Sequence, residues 1–142
     1  MIDIQYIVPD NNIQGARWQA AEILIPTPTA EYPTPYIYVS NRNTGTVDPA
    51  HKGDTIAVYE HINKGKAGEK LQLINQIYTG LEQVRGVVIG EACKGGEKYL
   101  IASGVVGSGG VVMFERTEQG KNLKELARNT EVKTRQSFLF MC

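Results

Sequence analysis

The sequence lacks the features of a nucleic-acid-binding chain, a membrane protein or a disulfide scaffold. Its 142 residues carry 15 Lys+Arg and 15 Asp+Glu, a net charge of zero, so no basic surface for nucleic acid is expected. No uninterrupted apolar run reaches the ~18 residues of a membrane-spanning helix. The two cysteines are too few for a fold that is stabilised mainly by disulfides, and we expect both to be free thiols.

Signals for secretion and for metal binding are also absent from the sequence. Met1–Gln5 has neither a basic n-region nor an apolar h-region, so no signal peptide is predicted and we expect a cytoplasmic chain. A secreted, longer parent stays open as the alternative. The two histidines, His51 and His61, have no Cys, Asp or Glu partners at ligand spacing, so we predict no metal and no cofactor.

What the sequence does have is glycine, 15 residues, and many short segments with a period of two. Tyr36–Ser40 and Thr55–Tyr59 are β-branched and aromatic and lie between turn residues, which is typical of strands. The same pattern predicts strands at 21–25, 71–78, 85–89, 98–102, 111–115 and 137–141.

These segments repeat along the chain. Residues 35–41 align with 98–104, residues 55–60 with 110–115, and residues 21–25 with 85–89. Each repeat then contains four strands, A to D, as in the blade of a β-propeller. Residues 122–132 have helical spacing when taken alone, but the repeat requires strand D there, and we predict a strand.

The repeat predicts an all-β chain with two four-stranded antiparallel blades that pack face to face. We assign an N-terminal extension to 1–19, blades to 20–80 and 81–132, and a lone ring-closing strand to 133–142. Propellers close with about 4 to 8 blades, so two blades form an incomplete ring. We therefore expect the missing blades or a second chain as partners.

The segments 20–23, 35–42, 53–59, 83–86, 97–102 and 111–116 resemble the lactonase family of seven-bladed propellers. This family holds bacterial 6-phosphogluconolactonases and fungal carboxy-cis,cis-muconate cyclases. The insertion at 25–29 and the segment 115–125 are more similar to the fungal cyclase-like members. The resemblance covers residues 20–140 and implies that the chain corresponds to the C-terminal portion of a full-length member.

The resemblance implies an isomerase of the intramolecular lyase type, which acts in aromatic degradation without metal or organic cofactor. One substrate carboxylate adds to a double bond, and an acid supplies a proton to the neighbouring carbon. Arginines suit a substrate with three carboxylates because a guanidinium grips a carboxylate in two places. By resemblance the catalytic arginine is Arg42. The family's histidine, second arginine and glutamate would precede residue 1, so we expect the isolated chain to be inactive.

The predicted topology gives Arg42 charged neighbours. In an antiparallel blade, the B–C connection lies at the end where strand A begins. Arg42 follows strand B and Arg85 opens the second strand A, so both are expected at one mouth of the channel, with Glu22 in the same region. We predict that Arg85 and Glu22 bind substrate. The alternative is that all three are turn-capping or solvated charges.

Two other functions stay open at this point. The chain could belong to a propeller-derived binding or structural module without catalysis, or to a sugar-lactone hydrolase of the 6-phosphogluconolactonase type. The residues that separate cyclase from hydrolase would precede residue 1. The expected ligand of either enzyme is a small polycarboxylate or lactone, and neither nucleic acid nor a membrane is expected as a partner.

Overall fold

A computed structural model describes residues 7–9, 12–50, 52–132 and 137–140 of the chain. This part contains eight strands and two short 3-10 turns, Cys93–Lys98 and Glu118–Gly120. The strands are β1 (Trp18–Leu24), β2 (Ile37–Asn43), β3 (Thr55–Ile62), β4 (Lys70–Tyr78), β5 (Glu82–Ile89), β6 (Tyr99–Val106), β7 (Val111–Thr117) and β8 (Asn122–Asn129).

The strands form two antiparallel sheets, with the orders β1-β2-β3-β4 and β5-β6-β7-β8. We call them the first blade and the second blade. The predicted all-β class with two four-stranded sheets is confirmed. The segment with helical spacing forms β8, because it pairs with β7 along its length and places Leu123 in the core, whereas an isolated helix of this length is marginal in water.

The repeat is reproduced at the level of single residue pairs. Val39 lies opposite Ala57 in the first blade, and the aligned residues Ala102 and Val112 lie opposite each other in the second. Bulges also recur at aligned positions, once between strands A and B of each blade and once between strands C and D. The two blades therefore share one backbone plan.

The blades pack face to face through an apolar cluster that we call the blade interface. Tyr38, Ile56 and Val58 of the first blade pack against Leu100 and Phe114 of the second, and all five are at most 2% exposed. Full burial of a large apolar side chain contributes about 1.5–3 kcal/mol, so this interface holds the two sheets together.

A smaller cluster lies on the other face of the first blade. It contains Val39, Ala57 and Tyr59, and Ile7 from the N-terminal segment packs on it. The carbonyl oxygen of Ile7 accepts a hydrogen bond from Asn41 Nδ2 and another, of 2.7 Å, from Gln76 Nε2. The N-terminal segment thus covers part of this face.

Two sequence expectations differ from the structure, at Cys93 and at residues 137–140. The expectation of two free thiols is wrong for Cys93, which is in a disulfide; disulfide formation depends on spatial approach, which the spacing of two cysteines does not reveal. The other cysteine, Cys142, lies outside the described residues. In the segment assigned to a ring-closing strand, residues 137–140 form no strand, and the remainder of 133–142 lies outside the described residues. The domain boundaries remain predictions.

None of the described helical segments is long and apolar enough to cross a membrane.

Candidate functional site

A buried carboxylate joins the two blades at the end where the β2–β3 connection meets the start of β5. Asp54 is 4% exposed, and its Oδ2 accepts hydrogen bonds from the backbone N–H groups of Asn43 and Val84, both at 3.1 Å. Asn43 ends β2 and Val84 lies in β5, so one oxygen atom ties the first blade to the second. We call this arrangement the Asp54 clamp.

The environment of Asp54 changes its acidity. Burial raises the pKa of the Asp54 carboxyl from 3.8 to about 6, because the charged form loses its water. The N–H groups of Val84, Asn43 and Gln83 stabilise the charged form and oppose this shift, whereas the nearby Glu82 carboxylate adds to it. Asp54 is held by backbone donors, so its main role in the isolated chain is structural.

Arg42 lies within β2 rather than after it, since β1 extends far enough to place Gln19 opposite Arg42. Its Nη2 donates a 2.6 Å hydrogen bond to Gln19 Oε1. Its Nε is buried and has no hydrogen-bond partner. Side chains alternate along a strand, so Arg42 is on the same face of β2 as Tyr38, which faces the second blade. The guanidinium therefore lies near the boundary of the two blades with one donor unused.

Arg85 and Glu22 lie in the aligned bulges of β5 and β1, and both are exposed. The backbone N–H of Glu22 donates to Ser40 Oγ at 2.9 Å, which secures the bulge of β1. Bulges redirect the side chains that they carry. The structure therefore presents these two charges to solvent on the A strands of their blades.

The Asp54 clamp brings part of the predicted site together. Asn43 and Val84, whose N–H groups share Asp54 Oδ2, are the chain neighbours of Arg42 and Arg85. Across the described ranges, no hydrogen bond or ion pair joins the side chains of Arg42, Arg85 and Glu22. Their roles in substrate binding and catalysis stay predictions.

The cavities at this end are small. One of 40 Å³ is lined by Asp54, Trp18 and Glu82 among others, and one water molecule needs about 10–15 Å³ of such space. A second, of 170 Å³, lies between Val47, Glu82 and the β6–β7 connection. Neither is lined by Arg42, Arg85 or Glu22.

A larger cavity of 480 Å³ opens at the opposite end of the A strands. Its lining is largely apolar, with Leu24, Ile25, Val88 and Ile89 at the ends of β1 and β5, and the carboxylates of Glu91 and Glu97 add negative charge. Sequence reasoning did not find this cavity, because it is formed by two A–B connections that come together only when the blades pack.

A buried arginine near that end was also missed. Arg116 is 3% exposed; its Nε donates to the Tyr38 hydroxyl at 3.0 Å and its Nη1 to the Glu97 carbonyl at 2.7 Å. Its guanidinium carbon lies 4.1 Å from the centre of the Tyr32 ring, a cation–π distance. The Tyr38 hydroxyl in turn donates to the Gly120 carbonyl at 2.6 Å.

These contacts join the first blade to the second at the polar edge of the blade interface. Burial raises the pKa of the Tyr38 hydroxyl, so this phenol stays neutral and can both donate and accept. The period of two in β7 was the signal available, because Val112, Phe114 and Arg116 alternate onto one face. We call the set Tyr32, Tyr38, Arg116 and Gly120 the Arg116 latch.

Neither a protein-family model nor a curated protein matches the chain. A crystal structure of a protein from Lactobacillus plantarum is similar to it, with a TM-score of 0.63 at 20% sequence identity. The match covers 92% of this chain and 31% of that chain, so this chain spans less than a third of the matched protein. At this identity the likeness shows the fold alone, and the two four-stranded sheets are consistent with blades of an incomplete β-propeller.

Proposed function

We propose that the chain is part of a lactonase-like propeller enzyme that, with its further blades, closes a small polycarboxylate to a lactone, as a carboxymuconate cyclase does. The observation that carries this proposal is the Asp54 clamp, which holds the backbone neighbours of Arg42 and Arg85 on one oxygen atom. Two guanidinium groups on adjacent blades suit a ligand with several carboxylates, since each can form paired hydrogen bonds.

The reaction is an isomerisation. A carboxylate oxygen of the substrate forms a bond to one carbon of a carbon–carbon double bond. The π electron pair of this double bond then takes a proton at the neighbouring carbon. No oxidant or reductant is consumed. Arg42 would orient the attacking carboxylate through its Nη groups, which would exchange the hydrogen bond to Gln19 Oε1 for one to the substrate. Arg85 and Glu22 would contact the rest of the substrate.

The isolated chain should bind a polycarboxylate without turning one over. By resemblance, the acid that supplies the proton belongs to earlier blades. Binding is tested by following the Arg42 Nε–H resonance during a titration with citrate, a stable tricarboxylate. We expect a saturable shift that Arg42→Gln removes and that Lys64→Gln, in the β3–β4 turn, leaves unchanged. A citrate response that survives in Arg42→Gln would contradict the assignment.

Turnover is tested separately by incubating the chain with carboxymuconate and following lactone formation. We expect none above the uncatalysed rate. Lactone formation that Arg42→Ala abolishes would show that the residues present here suffice, and it would contradict the inferred role of the earlier blades.

A non-catalytic binding or structural module is the second candidate. It is favoured by the positions of Arg42, Arg85 and Glu22, none of which lines either cavity at this end of the blades. If citrate causes no saturable shift at Arg42, the result would favour the non-catalytic module over the polycarboxylate-binding enzyme.

A further inference from the structure

Each blade has two faces, and the blade interface uses one face of each. The front face is the one that the first blade presents to the second, with Tyr38, Ile56 and Val58. The back face is the one that the second blade presents to the first, with Leu100 and Phe114. Because the two blades align residue by residue, the chain must carry a second front face and a second back face at its two ends.

The front face of the second blade has apolar residues at most of the aligned positions, the exception being Asn129, which aligns with Ile77. In the first blade Tyr36, Tyr38, Ile56 and Val58 are at most 2% exposed, and Ile74 packs against the same cluster. The aligned residues in the second blade are Tyr99, Ile101, Val111, Met113 and Leu126. The first four of these are only half-buried and Leu126 is 47% exposed. A surface with the composition of an interface is thus incompletely covered.

The back face of the first blade is incomplete in the same way. Ile23 and Ile25 align with Val87 and Ile89, which pack against the blade interface in the second blade. In the first blade the two isoleucines are 62% and 61% exposed. Ile7 covers the centre of this face and leaves its edge on β1 open.

We propose that the front face of the second blade packs on the back face of the first blade of a second copy, head to tail. This contact continues the blade interface already present within the chain, with apolar side chains at the same aligned positions on both sides. An incoming blade would replace Ile7 and would also bury Ile23 and Ile25, which Ile7 leaves exposed. Such burial is the main source of stability in large apolar interfaces.

Head-to-tail contacts form a ring when successive rotations close. Since propellers close with about 4 to 8 blades, we expect two, three or four copies. This inference rests on the fold and not on the proposed reaction. In a longer polypeptide the further blades of the proposed enzyme would occupy the same two faces, and this inference concerns the 142-residue chain. The ring would lack the residues that the resemblance assigns to earlier blades, so assembly is not expected to create activity, and the two proposals can fail separately.

The experiment uses one exposed residue on each face, so that the single chain tolerates the change. Leu126→Glu adds a charge to the front face and Ile23→Glu adds one to the back face. Val47→Glu is the matched control, because Val47 is 47% exposed in the β2–β3 connection and belongs to neither face. Circular dichroism verifies the fold, and sedimentation velocity gives the mass.

We expect the natural chain and Val47→Glu to sediment at two to four times 15.6 kDa and each face variant to sediment as a single copy. Mixing the two face variants should give a pair with one copy of each, because the intact front face of one meets the intact back face of the other. A natural chain that stays a single copy at all concentrations would overturn the proposal. Self-association of Ile23→Glu at the natural level would also overturn it, since it would indicate a symmetric front-to-front dimer.

Discussion

The first blade and the second blade share a backbone plan but differ in burial. In the first blade Ile56 and Ala57, on opposite faces of β3, are both 0% exposed. In the second blade the two aligned residues differ in exposure, since Val112 is 0% exposed whereas Val111 is half-buried. The difference shows that burial in this fold is decided by what lies beside a blade. As in other repeat proteins, the interface between neighbours carries much of the stability.

The sharpest test of this difference compares an aligned pair of substitutions. Ile56→Ala removes a fully buried side chain from the blade interface and should cost about 2–5 kcal/mol. Val111→Ala removes a half-buried side chain at the aligned position and should cost about 1 kcal/mol, roughly half the value of full burial. Urea unfolding at a concentration where the chain is a single copy measures both. Equal costs would mean that the two front faces are equally covered.

The Asp54 clamp exists in the first blade only, since the aligned position of the second blade is Gly109. Asp54→Ala leaves the backbone N–H groups of Asn43, Val84 and Gln83 without their acceptor and should cost about 2–4 kcal/mol. Asp54→Asn keeps an acceptor oxygen and should cost less. Urea unfolding at neutral pH compares the two variants, and similar costs would contradict the clamp.

The same residue predicts a pH dependence of stability. The folded pKa of Asp54, about 6, lies above its ordinary 3.8, so between these values the folded chain binds more protons than the unfolded chain. The Asp54 contribution is therefore fully present below pH 3.8 and is lost as the pH rises through 6, by about 3 kcal/mol at most. Subtracting the profile of Asp54→Asn from that of the natural chain isolates it. A difference that rises with pH in this window would have the wrong sign.

The Arg116 latch should contribute less to the free energy of unfolding than the apolar blade interface does. Tyr38→Phe removes the acceptor for the buried Arg116 Nε and the donor to Gly120, and it should cost about 1–3 kcal/mol. Tyr32→Phe removes one hydrogen bond, to the Arg116 carbonyl, and should cost about 0.5–1.5 kcal/mol. Thermal unfolding ranks the two, and a larger loss for Tyr32→Phe would contradict the central place of Tyr38.

The sequence was sufficient to predict the sheets because a period of two and an internal repeat report directly on strands. The alignment of 35–41 with 98–104 also predicted equivalent strands in the two blades, and the structure gives these strands equivalent pairs, Val39 with Ala57 and Ala102 with Val112. It resolved Asn122–Asn129 as a strand, where local spacing favoured a helix.

The parts that the sequence did not reveal depend on contacts between distant segments. Asp54 accepts from Val84, thirty residues away, and Arg116 donates to Tyr38 across the two blades. The start of β1 at Trp18 and the inclusion of Arg42 in β2 follow from mutual pairing of the two strands, which extends both beyond their apolar residues. The disulfide at Cys93 likewise follows from spatial approach.

The unequal coverage of the two front faces is tested most directly by the solvent exposure of methyl groups. A soluble paramagnetic agent would be added to the methyl-labelled chain at a low concentration, where it is a single copy. We predict little relaxation enhancement at Ile56 and Val58 and strong enhancement at Val111, Met113 and Leu126, with the enhancement at these three falling as the protein concentration rises. Equal protection of both sets at low concentration would contradict the account.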